Sequence, residues 1–150
     1  MAKIHLKIRC DNFGKITYFS LLILNIAPMN KDIGKLILRV GFASMMIAFH
    51  GIPKIKNLLS DEPQFVSVLG MGMILTLVLA AIVETVFPIL LILGYKARLA
   101  AIPLIVIMLV AIFDHHSQDP LAMKEKAILF LIGFVSIALI GAGKYSIDKR

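Results

Sequence analysis

The stretch from Phe65 to Gly94, FVSVLGMGMILTLVLAAIVETVFPILLILG, holds one charged residue, Glu84, in 30 positions. About 20 apolar residues cross the hydrocarbon core of a bilayer as a helix, so this stretch spans with length to spare. A carboxylate at that depth costs about 3 kcal/mol unless it is protonated or paired, because no water reaches it. The rest of the chain is expected to supply the helices that shelter this segment and its glutamate.

Composition agrees. Hydrophobic residues make up 59% of the 150 positions and the mean hydropathy is +0.92, against roughly 45–50% apolar residues in soluble domains. A net charge of +7 would point to nucleic acid in a soluble protein. Here the basic residues sit at the ends of apolar runs, as membrane-side anchors do. No basic face is interleaved with aromatics in the way that binds single strands, so no nucleic-acid partner is expected. The lone cysteine, Cys10, rules out an internal disulfide or a C-x-x-C pair. Any redox chemistry must therefore place its electrons on a bound cofactor or a partner.

Residues 1–28 read as an extension upstream of the organised part. Ile16 to Ala27 is an apolar run of 12 residues, too short to span and similar to the core of a signal peptide. Cleavage near Ala27 would carry Lys31 and Lys35 outward, against the positive-inside rule. An interfacial segment or a poorly ordered extension is the expectation. Residues 29–150 then form one membrane domain. Asn30 or Asp32 can cap the first span, Ile33 to Ile52, in which Gly41, Ala43, Ser44 and Ala48 offer small side chains for helix contact. Pro53 to Gln64 is a polar loop. The second span runs from Phe65 to Gly94, with Gly70 and Gly72 marking a bend and Pro88 a kink. Tyr95 to Arg98 is a turn short enough to make the next helix an antiparallel neighbour. The third span is Leu99 to His116, and Ser117 to Met123 leads to the fourth, Lys124 to Gly143. The expected fold is all-α, an antiparallel four-helix transmembrane bundle.

Four spans put both termini on one side. Of the 16 Lys and Arg residues, all but Lys54, Lys56, Lys124 and Lys126 fall on that side. This asymmetry predicts an inner-membrane protein with both termini in the cytoplasm.

Two groups of residues could carry chemistry. Arg39 and Glu84 both sit where charge is costly, about 9 Å and 15 Å from the cytoplasmic side, and the long guanidinium stem could join them as an intramembrane pair. Alternatively, Arg39 snorkels to lipid phosphate, and Glu84 is a neutral acid bonded to Ser44, Ser136 or a carbonyl. The opposite rim collects His50, Asp114, His115, His116, Asp119, Glu125 and Lys126. Their spacing matches no metal-ligand motif, so no metal site is expected. A quinone head group needs only one or two hydrogen-bond partners in an apolar pocket, and His50, His115 and Lys54 lie where such a rim would be.

The segment LILRVGFASMMIAFHGIPKI resembles the opening helix of DoxX-type membrane proteins, with its Arg, its Gly and a terminal HG-x-x-K. AAIVETVFPILLILGYKARLAA resembles that family's second helix and basic turn, and KEKAILFLIGFVSIALIGAGKYSID its last helix and G-x-G-x-x-S-x-D tail. The matching positions are Arg39, His50, Gly51, Lys54, Glu84, Gly94 and Arg98. The chain departs at Thr85 to Pro88, where the family commonly carries small glycines. The resemblance implies a four-helix inner-membrane protein, an accessory subunit of quinone-dependent redox metabolism; no tightly bound cofactor is expected, and a quinone is the candidate ligand. Its implied partners are the lipid bilayer, a membrane or peripheral redox enzyme, and further copies of itself. A non-enzymatic scaffold and a small proton or solute carrier using Glu84 are the rival readings.

Overall fold

The computed structural model describes residues 31–148; the expected extension, 1–28, and Asn30 lie outside them. The described residues form four helices: α1, Lys31–Leu58; α2, Met73–Leu93; α3, Ala97–His115; and α4, Leu121–Ile140. The first three are long and apolar enough to cross a membrane. Helix α4 carries Lys124, Glu125 and Lys126 near its start and no charge from Ala127 onward. Large apolar side chains face outward on every helix: Ile37 and Phe49 on α1, Ile74 on α2, Leu99 on α3 and Leu139 on α4. In water such a surface would aggregate. In lipid it is the solvent-facing side.

The helices alternate in direction around a core of Ala43, Met46, Leu91, Ala101, Leu104, Phe134 and Ile137. Close approach rests on small residues, though not mainly those of the first span. Ala97, Ala100 and Ala101 of α3 are buried, whereas Gly41, Ser44 and Ala48 are exposed on α1. On α4, Gly133 makes room for the Phe42 ring. Phe42 meets Phe130 edge-on with centroids 5.8 Å apart, which seats α1 against α4.

Two boundaries differ from the sequence expectation for identifiable reasons. The first span does not end at Ile52. Residues Ile47–Gly51 form a π turn in which the Ile52 N–H reaches back to the Ile47 carbonyl. A widened turn relieves the clash that a proline ring makes with the carbonyl four residues back, so Pro53 is absorbed and the helix runs on to Leu58. The second helix begins at Met73, not Phe65. Leu69, Gly70 and Gly72 all have positive φ, at 53°, 70° and 85°, a conformation no helix accepts. Residues 65–72 instead fold over the end of the bundle.

At the other end, α2 closes on Gly94, with φ 71°, and the Tyr95 N–H returns to the Leu90 carbonyl at 3.0 Å. The tail after α4 packs beneath this end. Asp148 accepts from the Lys96 N–H, Ile147 donates to the Leu93 carbonyl, and Asp32 accepts from the Lys144 N–H at 3.3 Å. Asp32 thus ties α1 to the tail.

Candidate ligand cleft and its polar pair

The two costly charges inside the bundle are not each other's partners. Arg39, 1% exposed, donates to the carbonyls of Ala142 at 2.8 Å and Tyr145 at 2.6 Å. These carbonyls become available because α4 ends at Ile140 and the tail folds back. Arg39 also lies against Gly94, where any Cβ would strike its guanidinium. Neither the expected ion pair nor the lipid-phosphate anchor describes it: Arg39 is an internal clamp on the tail.

Glu84 lies ten residues from Gly94, about 15 Å deeper along α2, and is 3% exposed. Its partner is Lys54, whose Nζ donates to Oε2. Helix geometry places the pair. Gly51 is level with Glu84, since a Cβ on Gly51 would sit 2.7 Å from the Glu84 carbonyl oxygen. Lys54 is about one turn further along α1, and helical side chains lean toward the N-terminus. The lysine therefore reaches back to the level of Gly51, where the carboxylate waits. Ser44 and Ser136, the other partners considered for Glu84, are elsewhere: Ser44 is exposed, and Ser136 donates to the Ile132 carbonyl at 2.8 Å.

The pair forms one wall of a cleft of about 960 Å³ at this end of the bundle, lined by all four helices and by residues of the 65–72 segment. His50, His115 and Lys54, the expected rim residues, all line it, together with His116 and Lys126. His50 packs its ring edge-on against Phe130 at 5.4 Å. His115 is exposed at the end of a second π turn, Ala111–His115. His116 is engaged with Asp119, Nδ1 to Oδ2 at 2.6 Å. Both π turns thus lie at the cleft end, each placing a histidine on its lining. Among the described residues, no three His, Cys, Asp or Glu side chains gather to hold a metal ion.

The roof is fixed by specific contacts. Asn57 donates to the Gln64 carbonyl at 2.6 Å and accepts from the Gln64 N–H at 3.2 Å. Lys54 Nζ sits 5.7 Å from the centre of the Phe65 ring, so one lysine touches both the roof and the buried carboxylate. Lys126 belongs to the rim group expected from the sequence, whereas nothing in the sequence marks Phe65 or Phe130 as site residues. Phe65 falls inside the apolar run expected to span, and the positive φ at Leu69, Gly70 and Gly72 separates it from α2.

The family model described as DoxX matches residues 34–117, more than half of the chain, and the matched range includes Arg39, His50, Lys54 and Glu84. No curated protein and no solved structure matches the chain.

Proposed function

The chain belongs to the DoxX family, and on that premise we propose that it is an accessory membrane subunit that seats a quinone-type head group in the cleft. The observation that carries this reading is the cleft's make-up. It has apolar walls, a volume within the roughly 300–1,000 Å³ of small-molecule sites, and few polar groups. Three of them, Lys54, Glu84 and His50, lie together on the α1–α2 side, and His115, His116 and Lys126 stand on the α3–α4 side. The match to quinone chemistry is that such a head group needs few hydrogen-bond partners and brings its own apolar tail, which the surrounding lipid accommodates. The charge asymmetry of the sequence supports an inner-membrane location with both termini in the cytoplasm. A redox enzyme docked on the bundle would use the bound carrier.

The test is purification of the full chain in mild detergent, transfer to lipid nanodiscs, and identification of both the extracted lipids and the co-purifying proteins. A quinone enriched over empty nanodiscs, and depleted when Lys54 and Glu84 are both replaced, is the expected result. A partner enzyme recovered with no quinone would overturn the reading in favour of a scaffold. Glu84-dependent proton flux in vesicles without quinone enrichment would overturn it in favour of a carrier.

A further inference from the structure

Resting on that reading of the cleft, we propose that Glu84 makes it selective for head groups that carry a hydroxyl donor, phenols and hydroquinones, over those whose oxygens only accept. Lys54 Nζ engages Oε2 of Glu84, and Glu84 itself lines the cleft, so Oε1 is the oxygen left to meet a ligand. An ionised carboxylate has acceptor capacity and no donor. Whatever approaches Oε1 must therefore bring a proton. Among the described residues no protein group donates to Oε1: Lys54 Nζ bonds Oε2 and faces the Phe65 ring, and Thr85 Oγ1 is buried beside Gly51 without a partner.

A carbonyl oxygen pressed against Oε1 would set two acceptors face to face and strip the carboxylate of solvent without compensation. A hydroxyl there forms a charge-assisted hydrogen bond, the stronger class of such bonds. Sites that hydrogen-bond a ligand hydroxyl reject analogues lacking it far more strongly than apolar pockets reject a missing methylene, because the buried group is then left unpaired. Of a quinone and its quinol, the cleft holds the reduced form more tightly. Binding makes and breaks no covalent bond, and no oxidant is required.

The experiment compares para-decylphenol with its methyl ether, in which a methyl group replaces the donor proton, by equilibrium partitioning into nanodiscs loaded with the full chain, corrected for each probe's partitioning into empty nanodiscs. The phenol is expected to bind at least about tenfold more tightly. In Glu84→Gln, whose amide offers a donor as well as an acceptor, the ratio is expected to fall toward one. The double variant Lys54→Met/Glu84→Leu, which removes both charges together, provides a second route to the same loss. Equal saturable binding of the two probes by the unaltered protein overturns the selectivity and leaves the cleft reading standing. Saturable binding of neither overturns both. Discrimination that survives in both variants removes Glu84 as its source.

Discussion

Lys54 on α1 and Glu84 on α2, 30 positions apart in the chain, form a hydrogen-bonded ion pair beside the close contact of Gly51 with the Glu84 backbone. The two members are unequally buried, with side chains 16% and 4% exposed, and this asymmetry sets what each substitution does. Lys54→Met strands a carboxylate with nowhere to go and is expected to lose about 3–5 kcal/mol. Glu84→Leu strands a lysine that can swing toward the rim, and is expected to lose less. The double variant is expected to be more stable than Lys54→Met alone. Thermal unfolding in detergent checks the order, and a double variant weaker than both singles would rule out the pair.

Arg39 forms a separate unit with the tail. Arg39→Leu abandons the Ala142 and Tyr145 carbonyls, an expected loss of about 2–4 kcal/mol, and should free residues 141–148 for limited proteolysis. Because Arg39 and Glu84 lie far apart along the bundle and share no partner, Arg39→Leu and Glu84→Leu should add within about 0.5 kcal/mol. A rescue of one by the other would instead restore the Arg39–Glu84 pair suggested by the sequence.

The glycines separate close contact from open surface. Gly133→Ala drives a methyl into the Phe42 ring and is expected to cost about 1–3 kcal/mol through overpacking. Gly41→Ala meets nothing within 4 Å and should be neutral, or stabilising by up to about 1 kcal/mol through helix propensity. The two unfolding midpoints should move in opposite directions or differ clearly in size.

Sidedness is open to chemical labelling. In a Cys10→Ser background, single cysteines at Ser60 and Ser117, both exposed at the cleft end, should react alike with an impermeant reagent in intact cells, and one at Lys144 should not. Reaction at position 144 alone would invert the orientation.

Much of this protein was determined by its sequence. Apolar runs longer than a bilayer is thick leave a chain few options other than helices, since each backbone group must find its partner within its own segment. The short turn at Tyr95 to Arg98 made α2 and α3 antiparallel, and the isolation of Glu84 marked the place where a partner was needed. Even the partner had a signal in the lean of helical side chains, which carries Lys54 toward Glu84 and Arg39 away from it. That signal holds only if the first helix continues past Pro53. Only the tertiary structure decided the rest. A π turn lets α1 pass Pro53, positive φ at Leu69, Gly70 and Gly72 turns the head of the long apolar run into a roof, and the tail's return offers Arg39 two carbonyls. Each depends on contacts between segments far apart in the chain, and hydropathy cannot distinguish an apolar residue that spans from one that covers a cleft.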